Sequence, residues 1–226
     1  MNYKWQMFCS GIINFIISAF VICPLVVSFW IGAWTLADLL IFSFDLHKSA
    51  LVSSLIGIVI PFLFTVYRDD LQRTIAGNGR KWVFWIFSRI YYLVFAVASV
   101  LHWRGLWILL DFYMGFNYIS ALSSILIGLV LLIPLRCLRN AVSSPLSVAS
   151  DGREDSFAFP TMFDIKANSN LRACICDAFF GIIVVGYSTV FFWRGAFCLL
   201  DVAVFPENLD LSGGVCMNLQ KEFDTS

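Results

Sequence analysis

Five apolar runs, at 8–27, 50–67, 82–101, 118–135 and 173–193, leave this chain little choice of solvent or secondary structure. Each is close to the roughly 20 residues that a helix needs to cross a bilayer core. In hydrocarbon a backbone must satisfy its own hydrogen bonds, so a run of this kind is helical. Composition agrees. The 226 residues are 60% hydrophobic and 13% charged, where a soluble domain has about 25% charged residues. The expected fold class is therefore all-α: a polytopic membrane protein of about five transmembrane helices. Net charge is zero, which gives no reason to expect a nucleic-acid partner; the bilayer itself is the first expected partner. The run that begins at Phe8 is much longer than a signal-peptide core and reads as an uncleaved first span.

Basic residues set the expected orientation. Lys4, the connection at 68–81 (Arg68, Arg73, Arg80, Lys81) and the connection at 136–172 (Arg136, Arg139, Arg153, Lys166, Arg172) hold ten of them. The other side holds Lys48, Arg104, Arg194 and Lys221. The positive-inside rule then places the N-terminus and both basic connections in the cytoplasm.

One stretch occurs three times: "FWIGAWTLAD" at 29–38, "HWRGLWILLD" at 102–111 and "FWRGAFCLLD" at 192–201. Each reads Trp-x-Gly-x-aromatic-x-Leu-x-Asp. The residues singled out are Trp30, Gly32 and Asp38; Trp103, Arg104, Gly105 and Asp111; and Trp193, Arg194, Gly195 and Asp201. The first copy has Ile31 where the later two have Arg. Each copy caps an odd-numbered span, so all three fall at the non-cytoplasmic face. If helical, the two aromatics and the Asp share one stripe. Two readings fit: a ligand or ion site where the copies converge, or a clamp on helix ends. The clamp is the simpler, because unpaired charges in a partly dry interface are costly. Arg and Asp of one copy lie two turns apart, so pairing between copies is open. Asp38, with no Arg in its own copy, needs a partner from another.

The even spans match as well, with "SSLIGIVIP" at 53–61 and "SSILIGLVLLIP" at 123–134. The expected unit is a helical hairpin repeated over a transmembrane domain at 1–206, as 1–81, 82–172 and an incomplete 173–206. A polar tail follows at 207–226. Three polar residues fall inside spans: Asn14, Arg89 and Asp177. Their depths allow a buried cluster; otherwise Arg89 snorkels to the headgroups and Asp177 sits among them. A transporter or channel would run its polar path near Arg89 and Asp177.

No catalytic constellation is present: no phosphate-binding glycine loop, no H-E-x-x-H and no nucleophile elbow. The seven cysteines and two histidines have no zinc spacing. Neither an enzyme nor a cofactor is expected. Cys137, Cys174 and Cys176 border span ends, where palmitoylation occurs.

The three "W-R-G-x-W-x-L-L-D"-like stretches, each joining two spans, resemble the fuseless family of invertebrate presynaptic membrane proteins over roughly residues 1–206. The resemblance implies an eight-span pattern of such hairpins and a place in the presynaptic plasma membrane. It also implies a scaffold role at the active zone, including calcium-channel placement in synaptic transmission, with no catalysis. The chain departs from that pattern in ending after five spans and a polar tail, and so reads as a truncated or short member. Ile31 in place of Arg is a second departure.

Overall fold

The structure, a computed structural model, describes residues 12–13, 15–76, 81–141 and 161–204. Every regular element among them is helical. Helix α1 is Phe15–Leu40, with a π-helical turn at Ser18–Ile22. Helix α2 is Leu46–Val66, α3 is Arg68–Ala76, α4 is Lys81–Met114 and α5 is Tyr118–Leu132. A short 3-10 turn covers Leu138–Ala141. Helix α6 is Leu171–Ala203, with a π-helical turn at Phe180–Gly186.

Four of these, α1, α2, α4 and α6, are long and apolar enough to cross a membrane. The fourth expected span is shorter than its apolar run. Helix α5 has 15 residues, or about 22 Å at 1.5 Å per residue, against a hydrocarbon core of about 30 Å. Its run continues to Leu135, but the backbone turns at 133–136, around Pro134, and Arg136 has a φ of 55°.

Helices α1, α4 and α6, which correspond to the odd-numbered apolar runs, are longer than those runs suggest. Spans expected to end near 27, 101 and 193 continue as helix to Leu40, Met114 and Ala203. The three Trp-Gly-Asp stretches therefore form the last turns of α1, α4 and α6. Short connections then reverse the chain. Between α1 and α2, Phe42 takes a φ of 45°, and Asp45 caps α2 by accepting from the Lys48 N–H at 2.9 Å. The Lys48 ammonium, 2.8 Å from the Asp45 carboxylate, and that N–H together hold the Asp45 carboxyl below its ordinary range. After α4, Gly115 has a φ of +68°, the left-handed conformation that ends helices without a Cβ penalty. Asn117 then caps α5, accepting from the Ser120 N–H at 2.9 Å.

The closest helix pairs are not the two arms of one hairpin. They are α2 with α4, and α5 with α6, each pair packed through glycines facing opposite ways. A Cβ on Gly57 of α2 would run into the His102 backbone of α4, and one on Gly105 of α4 into the Ser54 and Ala50 backbone of α2. In the second pair, Gly128 of α5 meets the backbone of Phe192 and Ser188, and Gly195 of α6 that of Ala121 and Ile125. Small residues that admit a neighbouring backbone drive helix association in lipid, where burial of apolar surface gains little. Helix α4 also packs on α6 through Leu106, Leu110 and Val190, and α1 leans on α4 through Trp30 and Trp34. Most of α1 is bare, consistent with a lipid-facing helix.

At the opposite end, residues 161–170 fold back onto α6. Asp177, 2% exposed, accepts from Thr161 Oγ1 at 2.5 Å and from the N–H groups of Phe163 and Ile165 at 3.1 Å. Asp164, in the same segment, lies 2.9 Å from the buried Arg68 guanidinium. Asn170 caps the first turn of α6.

Candidate functional site

Two arginines, Arg104 on α4 and Arg194 on α6, are the largest fully buried side chains, both at 0% exposure. A buried guanidinium is tolerated only if its charge is matched and its donors are met. Both conditions hold. Arg104 donates from Nε to Asp38 Oδ1 at 2.8 Å, and its Nη2 lies 2.7 Å from the same oxygen. Its Nη1 donates to Ser53 Oγ at 2.6 Å and its Nη2 to Ser49 Oγ at 2.8 Å. Arg194 donates from Nε to Asp111 Oδ1 at 2.9 Å. Its Nη1 reaches Ser120 Oγ at 2.6 Å and Ser124 Oγ at 2.9 Å, and its Nη2 reaches the Gly115 carbonyl at 2.5 Å.

The two clusters share an Arg, an Asp and two serines, to which Arg194 adds the Gly115 carbonyl. In each, an Arg meets the Asp of the preceding Trp-Gly-Asp stretch and two serines, one turn apart, on the helix between them: Arg104 of α4 with Asp38 of α1 and two serines of α2, and Arg194 of α6 with Asp111 of α4 and two serines of α5. Helix geometry explains the serines: residues four apart lie on one face, so Ser49 and Ser53, like Ser120 and Ser124, present two hydroxyls to one guanidinium. The Gly that follows each Arg lets α2 or α5 come close enough for those short bonds to form. The Arg–Asp pairs run between successive Trp-Gly-Asp stretches, and Asp38 takes its arginine from the second of them.

Aromatic rings follow the same succession. Trp30 lies edge-on to Trp103 at 5.3 Å, and Trp34 to Trp107 at 6.0 Å. Trp107 in turn lies 5.8 Å from Phe197. Trp193 packs on Phe197 at 5.8 Å, and its buried Nε1 has no hydrogen-bond partner among the described residues. The three glycines differ: Gly105 and Gly195 are pressed against backbone, whereas a Cβ on Gly32 would meet nothing within 4 Å. Asp201 is exposed and has no ion pair among the described residues.

Of the intramembrane trio, Arg89 and Asp177 do not meet. Arg89 is half-buried and bonds within its own helix, to the Trp85 carbonyl at 3.3 Å and Ser88 Oγ at 3.2 Å, with its guanidinium 4.3 Å from the Trp85 ring centre. Asp177 is fully engaged by residues 161–165, as described above. Asn14 lies outside the described residues. Similar depth did not mean facing sides, so no polar path joins Arg89 to Asp177 among the described residues. Arg89→Leu is accordingly expected to change unfolding free energy in micelles by no more than about 1 kcal/mol, the scale of a partly exposed cation–π contact. Combined with Asp177→Leu it should give additive losses; coupling between the two would show that they meet.

Of the cysteines at span ends, Cys137 and Cys174 are buried, Cys137 with its Sγ 3.4 Å from Met162 Sδ. Only Cys176 of the three is open to an acylating enzyme. No group of His, Cys, Asp or Glu among the described residues is arranged to hold a metal ion.

The serines were the part that sequence reasoning missed. The doublets 53–54 and 123–124 drew attention, but the functional spacing is Ser49 with Ser53 and Ser120 with Ser124. The signal was available: "SALVSS" at 49–54 and "SALSS" at 120–124 share Ser-Ala-Leu before the second serine.

Two helix pairs joined by matching Arg–Asp–Ser clusters describe an architecture, and the family comparison supplies its kinship. The Fuseless family model matches residues 10–219. The chain belongs to the Fuseless family. The match runs past residue 206, so the likeness of this Fuseless protein to its family reaches further than the three Trp-Gly-Asp stretches that first suggest it. No curated protein and no solved structure matches the chain.

Proposed function

We propose that this Fuseless-family protein is a non-enzymatic membrane scaffold of the presynaptic plasma membrane, which helps to place calcium channels for synaptic transmission. In this reading the N-terminus is cytoplasmic, the Arg–Asp clusters lie toward the outer face, and the chain is built from one duplicated hairpin unit. The observation that carries the non-enzymatic part is the saturation of Arg104 and Arg194: each meets an Asp and two serines. A guanidinium held in this way has little capacity left for a substrate. Family membership, with the presynaptic role that the family resemblance implies, supports the location and the partner class.

The test is removal of the protein from neurons that express it, with calcium-channel density at release sites as the readout. Loss or displacement of channels, restored by the wild-type chain, is the expected result. Unchanged channel placement and transmission would overturn the reading. Solute flux through reconstituted vesicles would replace it with a transport function.

A further inference from the structure

Residues 161–170 form a strap that ties both helix pairs together at the end away from the Arg–Asp clusters. On one side Asp164 pairs at 2.9 Å with Arg68, where α2 meets α3. On the other, Met162 lies against Cys137 just past α5, Sδ to Sγ 3.4 Å, and Phe163 packs on Phe180 of α6 with ring centres 5.9 Å apart. The seat of the strap is one carboxylate. Asp177, closed to solvent at 2% exposure, accepts from Thr161 Oγ1 at 2.5 Å and from the N–H groups of Phe163 and Ile165. The strap carries two hydroxyls, Thr161 and Ser169. Thr161 gives its proton to that buried charge, whereas Ser169 is exposed and donates to the Lys166 carbonyl of its own turn at 2.7 Å.

We propose that Thr161 is a phosphorylation site, and that its modification holds the strap off α6. ATP supplies the phosphoryl group. The Thr161 oxygen attacks the γ-phosphorus, the bond to the β-phosphate oxygen breaks, ADP leaves, and the hydroxyl proton passes to the kinase's base. The product cannot refill the seat. It has lost the proton that Asp177 accepts, and it sets about −1.5 to −2 charges beside a carboxylate that burial keeps unscreened. Arg68, the cation on the strap's other side, has one Nη2 without a partner among the described residues. It is already faced by Asp164 and, at 3.8 Å, by Asp69, so a phosphate gains little there. Recognition has a handle as well. Asp164, three residues on, keeps 64% of its side chain open, so a kinase with a basic substrate groove reads the released strap as Thr-x-x-Asp. The proposal rests on the cytoplasmic placement of 136–172, the side where ATP is, and not on the scaffold role.

The experiment uses the full chain in lipid nanodiscs, treated with a maleimide. Cys137, buried against Met162, reports opening of the strap, read by peptide mass spectrometry. Thr161→Glu should speed labelling of Cys137 by about tenfold or more, because local opening controls access to buried groups. Ser169→Glu, in the same strap, should leave the rate unchanged. Asp177→Asn added to Thr161→Glu should restore slow labelling, since a carboxamide donates to the new carboxylate while still accepting from the backbone; a merely structural loss would not be reversed. Equal rates in the wild-type and Thr161→Glu chains would overturn the proposal, and so would slower labelling, which would mean that the added charge docks on Arg68. The chain isolated from cells with phosphatases inhibited should carry phosphate on Thr161, and its absence there would overturn the site too. A glycosylation acceptor engineered into 142–160 reports the orientation separately: its modification would refute the cytoplasmic placement, and the site with it, while leaving the scaffold role standing.

Discussion

Asp38→Leu is expected to destabilise the protein by about 3–5 kcal/mol, because it leaves Arg104 charged and wholly buried with only two serines for company. Arg104→Leu should cost less, about 2–3 kcal/mol, since Asp38 keeps 45% of its side-chain surface open and can rehydrate once its partner is gone. The same order should hold for Asp111→Leu against Arg194→Leu, because Asp111 is also partly open at 37% while Arg194 is closed at 0%. Reversible unfolding in mixed micelles measures all four. Arg139, which is exposed, provides the control, and Arg139→Leu should change stability by less than about 0.5 kcal/mol.

The second large effect separates three glycines that look alike in sequence. Gly105→Ala and Gly195→Ala each drive a methyl into neighbouring helix backbone, against Ala50 and Ser54 in one case and Ala121 and Ile125 in the other. Backbone cannot step aside as a flexible side chain can, so the helices must separate. Separation lengthens the Arg–Ser bonds formed at the same contact. A loss of about 2–3 kcal/mol or more is expected, at the upper end of ordinary overpacking. Gly32→Ala meets open space and removes a helix-weakening glycine, so it should be neutral or stabilising by up to about 1 kcal/mol. Equal losses at all three positions would mean that the Gly32 face is covered in the folded protein.

Much of this architecture was legible in the sequence, and the remainder was hidden for identifiable reasons. Helical spans follow from the demand that backbone be satisfied in lipid, which needs no knowledge of neighbours. That Asp38 requires an arginine from another stretch follows from Ile31 alone. The ends of α1, α4 and α6 were harder. Charged residues in a sequence suggest that a span has finished, yet Asp38, Arg104, Asp111 and Arg194 continue in helix because they neutralise one another. Sequence gives the depth of Arg89 and Asp177 but not the rotation of their helices; the two do not face each other, and Arg89 stacks on Trp85 of its own helix. The bonds that hold Asp177 come from a short segment at 161–165 with no periodicity to announce that it folds back. Serine positions were partly visible, but a doublet attracts attention more readily than two serines four residues apart.

The glycine contacts and the arginine clusters describe one device. Glycine sets the distance between α2 and α4 and between α5 and α6; serine and aspartate then convert that distance into a closed shell around a guanidinium. Buried ion pairs are often no more stabilising than well-packed apolar residues, so the gain from Arg104 and Arg194 lies in register. Each arginine finds its full set of partners in only one rotation and one height of its helix, which selects a single packing among the many that apolar helices in lipid would accept.

A double-mutant cycle between Asp38 and Arg104, read as unfolding free energy in micelles, tests that device most directly. If the pair is a structural clamp, Asp38→Leu together with Arg104→Leu should be more stable than the sum of the single losses allows, with a coupling of about 1–3 kcal/mol. The double variant should also still fold. Additive losses, or single variants that keep full stability while a binding activity disappears, would contradict it.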